Sequence, residues 1–169
     1  QSEGPVSGER FLTALAVGCD VACRMALATV QRLEKRGWYP PPMLAHTAVF
    51  AALLILLVTV LSINVSACRI RLRISLGDGG NKRMRRAIRC HANCLEHAVP
   101  FVLLLMFFEL GGATPTEIMW LGGLFVGCRL VHVMGMLGGG FRLRQLGATG
   151  SLALEIVAAF AILCRVFGC

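Results

Sequence analysis

The 169-residue chain is short of charge, and of negative charge above all: Lys, Arg, Asp and Glu make up 15% of it, and only nine residues are acidic. Residues 40–68 contain no Asp, Glu, Lys or Arg. Such a stretch exceeds the about 20 apolar residues that carry one helix across a bilayer. With 56% hydrophobic residues and a mean hydropathy of +0.71, the chain is too apolar for an ordinary soluble domain. A separate soluble catalytic domain has no room beside several spans. Eight cysteines are present without any C-x-x-C pair or loop framework, which argues against a disulfide scaffold and for small buried apolar residues. No G-K-[ST] follows Gly77-Asp78-Gly79-Gly80, so this turn is no phosphate-cradling loop. The basic residues are not interleaved with aromatics, which excludes a nucleic-acid surface. No repeat of solenoid length occurs.

What charge there is leans one way, with 17 Lys and Arg against 9 Asp and Glu and a formal net charge of +8. In a chain this apolar, the bias points to membrane topology and lipid headgroups. The chain starts at Gln1 instead of Met, so its targeting history is not legible. Residues 1–42 form an N-terminal extension and 43–169 a membrane domain. Within the extension, residues 9–36 have a helical pattern whose polar members, Arg10, Thr13, Asp20, Arg24, Gln31 and Lys35, share one stripe. Asp20 and Arg24 are spaced to pair. The broad remainder, with Phe11, Leu12, Leu15, Cys19, Ala26, Leu27 and Val30, suits either the membrane interface or a partner protein. Trp38, Tyr39 and three consecutive prolines end this helix at headgroup level.

Four spans follow. The first is apolar through residues 48–60 and stops at Arg69, Arg71 and Arg73. A turn at 76–81 lies among Arg69, Arg71, Arg73, Lys82, Arg83, Arg85, Arg86 and Arg89, which are eight of the 17 basic residues. The loops 69–89 and 138–145 therefore belong on the positive-inside face. The second span covers about residues 84–110, the third 116–137 and the fourth 146–167, with breaks at 111–115 and 138–140.

Each charge inside a span requires a reason, since burial at mid-depth costs about 2.5–3.5 kcal/mol on insertion scales. In the second span Arg86, Arg89, Asn93, Glu96 and Pro100 step along one helix face, which predicts a polar stripe toward the bundle interior. Cys90, Cys94 and His97 fall on another face; three ligands without a fourth fall short of a metal centre. Arg129 and His132 in the third span offer a cationic partner to Glu96, as a structural network or as part of a site. Arginines at the basic face can grip carboxylates in a fork, Asn93 and Glu96 can meet an amide or ammonium, and Arg129 can favour a thiolate. The set suits a zwitterionic, peptide-like ligand. Glu155 stands alone in the fourth span, which predicts a partner in another subunit or snorkelling.

The run Arg86-Ala-Ile-Arg89-Cys-His91-Ala-Asn93-Cys-Leu-Glu96-His-Ala-Val-Pro100, with Arg129-Leu-Val-His132 some distance on, resembles the MAPEG superfamily of membrane-associated proteins in eicosanoid and glutathione metabolism. The Gly-Asp-Gly-Gly loop, the first span and residues 142–147 are most similar to its small bacterial-type branch. The resemblance covers about residues 45–165. It implies a left-handed four-helix bundle per subunit, a homotrimer, and in catalytic members a glutathione site between subunits near the basic face. By that resemblance Arg89, His91, Asn93, Glu96 and His132 bind glutathione and Arg129 is catalytic. Ala92 stands where catalytic members usually carry an Arg, and Met136 where they carry a Tyr, removing a carboxylate clamp and a donor to the thiolate.

The fold expected is thus an all-α integral membrane protein, a four-transmembrane-helix bundle with an extra amphipathic N-terminal helix, in contact with membrane lipids and not with nucleic acid. Two functions are compatible with it. One is a glutathione-dependent transferase or peroxidase acting on lipophilic substrates. The other is a non-catalytic accessory subunit of a larger hetero-oligomeric membrane complex, such as an organellar energy-transducing complex, docked through its N-terminal helix. The expected location is an organelle inner membrane or the endoplasmic reticulum.

Overall fold

The structure, a computed structural model, describes residues 8–35, 44–138 and 140–168, with the side chains at 8–12, 15, 19, 33 and 34 outside that description. Among the described residues every regular element is helical: α1 (Gly8–Lys35), α2 (Ala45–Leu72), α3 (Lys82–Leu110), α4 (Pro115–Leu137) and α5 (Phe141–Phe167). Contacts divide the chain into residues 1–42 and 43–169. In α1 the expected Asp20–Arg24 pair forms at 2.9 Å, and Val17, Val21, Met25, Leu27 and Val30 are exposed. The aromatic and proline break at 38–42 lies outside the described residues.

The other four helices are long and apolar enough to cross a membrane, so the chain is a multi-pass membrane protein. Only helices satisfy every backbone group within one segment in lipid. Two spans are longer than expected at the basic end. The helix α2 continues through Arg69 and Arg71 to a left-handed cap at Arg73, with φ of 55°. Similarly, α5 begins at Phe141, before Arg142 and Arg144, not near 146. Arginine is a good helix former, and its long stem lets the charge reach the headgroups from inside the helix.

Leu54, Phe101, Leu105, Ile118 and Phe125 fill the core with no exposed surface, and the Phe101 and Phe125 rings stack with centroids 3.6 Å apart. Small residues let the backbones approach. A Cβ on Gly147 would stand against the backbone of His132, and one on Gly135 against that of Arg144. These two glycines bring α4 and α5 together near the basic end.

The predicted interior face of α3 is corrected. Met84, Ala87, Cys90, Cys94, Ala98, Phe101, Leu105, Phe108 and Glu109 are the buried residues, whereas Arg86, Arg89, Glu96 and Pro100 are exposed, and Asn93 lies half-buried at the edge. Small apolar side chains win the packed face because they lose no hydration there, while an arginine would.

Candidate functional site

The two basic segments meet at one end of the bundle. The helix α3 starts with Asn81, whose side-chain oxygen accepts from the Arg83 and Met84 amides at 2.9 and 3.2 Å. Lys82, Arg83, Arg85, Arg86 and Arg89 then crowd its first turns, and Arg142 and Arg144 those of α5. Cations at a helix N-terminus oppose the macrodipole. Two positive helix ends carrying further positive side chains form a field that only an anion relieves. Among the described residues, Asp78 is the one carboxylate at this end in an ion pair. It accepts from Arg85 Nε and from the Gly80 amide, and these bonds hold its carboxyl below the usual aspartate range, the Arg85 bond contributing most.

Behind these cations opens a cavity of about 690 Å³, lined by Lys82, Arg85, Arg86, Arg89 and Asn93 of α3, His132, Gly135 and Met136 of α4, and Phe141 and Arg144 of α5. It therefore brings together Arg89, Asn93 and His132 of the residues expected from sequence. His91, half-buried, and Glu96, exposed, do not line it. Lys82, Arg85 and Arg144 were not singled out from sequence as site residues. Their signal was present in the basic runs, but a run alone reads equally as topology.

Asn93 is held from below. Arg129, fully buried, donates from Nη2 to Asn93 Oδ1 at 2.8 Å and from Nη1 to Ser151 Oγ at 3.3 Å. The Ser151 hydroxyl donates in turn to the Gly147 carbonyl at 2.7 Å. Among the described residues no carboxylate meets Arg129, and its Nε is an enclosed donor without a partner. The expected pairing of Glu96 with Arg129 or His132 is therefore corrected: Glu96 lies opposite Cys94 on the α3 wheel, so it points out of the bundle. Glu155, expected to look outward for a partner, instead meets His97 within the chain at 3.0 Å.

His132 Nδ1 lies 3.0 Å from the Arg144 carbonyl. A carbonyl only accepts, so Nδ1 carries the hydrogen. Its Nε2 is then the acceptor, enclosed and without a partner. An oriented imidazole, a clamped amide and a ring of cations can receive a ligand with more than one acidic group and an amide. Of the two departures noted in the sequence, Met136 is part of the cavity wall and Ala92 is not.

The MAPEG family model matches residues 47–164. The chain is also 30% identical over 115 residues to the inner membrane protein YecN of Escherichia coli (strain K12), covering 68% of this chain and 88% of that protein. The protein of the same name from Escherichia coli O6:H1 matches to the same extent. The matched segment contains α3, α4 and nearly all of α2 and α5, hence the whole cavity. With the family model spanning the three helices that line the cavity and nearly all of α2 beside them, the chain belongs to the MAPEG family.

Proposed function

We propose that this protein is a glutathione-dependent transferase or peroxidase for lipophilic electrophiles that reach it from the bilayer. The observation that carries the reading is the cavity at the basic end, with Lys82, Arg85, Arg86, Arg89 and Arg144 in its wall and the clamped Asn93 among them. The residues present fit a thiol tripeptide. Guanidinium forks suit its two carboxylates, Asn93 suits a peptide amide, and the orphaned Nε2 of His132 suits a donor. Bound there, glutathione supplies a thiol. The buried, carboxylate-free charge of Arg129 beneath Asn93 favours the thiolate form, which compensates for the phenol that Met136 does not provide. Arg129 thus acts at the floor of the site through its charge and through Asn93. His91 and Glu96 complete the site from a second copy in a homotrimer. The basic end faces the positive-inside compartment of an organelle inner membrane or the endoplasmic reticulum.

The test is titration calorimetry with the full chain in lipid nanodiscs. Glutathione should bind, added salt should weaken it, and Arg89→Ala should weaken it at least about tenfold, or about 1.4 kcal/mol. No binding to the unaltered protein, or equal binding to Arg89→Ala, would refute the proposal.

A second reading rests on α1. It lies outside the segment matched to the family and exposes Val17, Val21, Met25, Leu27 and Val30, the surface a subunit needs to dock in a larger membrane complex. Deleting residues 1–37 should then release the protein from its assembly. An unchanged native mass would end that reading.

A further inference from the structure

The basic cavity is longer than a tripeptide. Along α3, Lys82, Arg86, Arg89 and Asn93 follow one another at steps of three or four residues, and all of them line it. By the helical rise, Arg86 stands about 10.5 Å and Lys82 about 16.5 Å from Asn93. Three residues at full extension span about 11 Å. A tripeptide that starts at Asn93 therefore ends near Arg86, and Lys82 stands one turn further out. The other wall has the same length. Arg129 joins Asn93 to Ser151, and Phe141 precedes Ser151 by ten residues of α5, about 15 Å. The Arg144 guanidinium lies 5.2 Å from the centroid of the Phe141 ring, so it reaches this outer level as well.

The cavity also carries more charge than a tripeptide can match. No Asp or Glu is among the described residues that line it. Arg85 has Asp78 as its partner, which leaves the charges of Lys82, Arg86, Arg89 and Arg144 without an acid among the described residues. Glutathione offers two carboxylates and adds an ammonium. With the two carboxylates held by Arg86 and Arg89, the cations of the outer level remain unmatched.

These basic helix ends stand at headgroup level, where phosphate is the anion at hand. A lysine ammonium and a guanidinium fork both suit its oxygens. The inner end requires something else, because the enclosed Nε2 of His132 calls for a donor, and an ionised phosphate diester has none.

We propose that Lys82, Arg85 and Arg144 form a phosphate site at the cavity mouth, filled at the same time as the tripeptide site below it. The group it takes is the phosphate of a membrane lipid or a free phosphate. Assigning the inner part to glutathione rests on the transferase reading, whereas binding of phosphate at the mouth does not.

The test uses the full chain in maltoside micelles, which contain no phosphate, at fixed ionic strength. Inorganic phosphate and a short-chain phosphatidic acid are titrated separately by calorimetry, and native mass spectrometry follows the adducts with glutathione present. One oligomer should carry both adducts together. Lys82→Gln and Arg144→Gln should each weaken phosphate about tenfold and more than they weaken glutathione, while Arg89→Ala should rank the two ligands the other way. Tighter binding of phosphatidic acid than of inorganic phosphate would support the site with a lipid headgroup as its source, and equal binding would support it with free phosphate. No binding of either probe, a phosphate adduct that replaces glutathione, or equal losses in all three variants would overturn it. Phosphate binding by a protein that takes up no glutathione would remove the transferase reading and leave the phosphate site standing.

Discussion

At the end of the bundle formed by the 111–114 turn, both carboxylates have their donors. Glu109 reaches from the last turn of α3 to the first turn of α2, where it accepts from the Thr47 amide at 2.8 Å, the His46 amide at 3.3 Å and the His46 ring at 3.0 Å. Glu117 closes a capping box with Thr114 and takes both oxygens to Arg165 at 3.0 Å, while the Arg165 guanidinium covers the Phe108 ring at 4.5 Å. At the opposite end cations crowd two helix N-termini, Asp78 is the one paired carboxylate among the described residues, and Arg129 is buried without an acid. One end uses charge to hold the helices together. The other leaves charge unspent, and that surplus is what a ligand can use.

The comparison breaks most completely at Gly147, because the basic cavity depends on α5 lying directly against α4. Gly147→Leu should destabilise the protein by about 3 kcal/mol or more, since the obstruction is backbone and cannot swing aside; a fall in the thermal midpoint in micelles checks it. At the charge-balanced end, Glu109→Gln should cost about 2 kcal/mol, because three donors at a helix N-terminus lose a charged acceptor. At the surplus end, Arg129→Met should change stability by less than about 1 kcal/mol, as relief of a buried charge offsets the bonds lost by Asn93 and Ser151. The same variant should abolish glutathione binding. If Arg129→Met proved as damaging as Glu109→Gln, the two ends would not differ in kind.

The smallest effect concerns Asp78, which lies outside the spans and is partly exposed. Its carboxyl is held below the usual range by Arg85 and the Gly80 amide. A depressed pKa contributes order to the turn above the unfolded value, about pH 4, and that order is lost as pH falls through the folded value. Hydrogen exchange at the Gly80 and Asn81 amides should therefore accelerate, after correction for intrinsic rates, only below about pH 4. In Asp78→Asn it should show no such step.

The four spans were legible in the sequence because bilayer thickness sets a length that no soluble element imitates. Their basic ends were less so, since Arg142 and Arg144 read as a loop from charge but continue the helix by propensity. Spacing placed Arg89, Asn93 and Glu96 on one stripe of α3, yet spacing does not say which stripe is packed. The Cys90 and Cys94 face won that place, and Glu96 turned outward with the arginines. Asn93 and Arg129 were each visible as polar residues in spans, but their bond, and the third partner Ser151, depend on the α4–α5 approach at Gly147. The His46–Glu109 and His97–Glu155 contacts join residues 63 and 58 positions apart, and no local pattern reports such pairs.

The account turns on the surplus charge of the basic end being matched by an acidic thiol ligand. Native mass spectrometry of the protein gently extracted from its own membrane, with and without added glutathione, tests this most directly. The expected result is a small oligomer whose mass shifts by bound glutathione, and whose shift disappears in Arg89→Ala. Recovery only within a much larger hetero-complex, with no glutathione adduct, would contradict it.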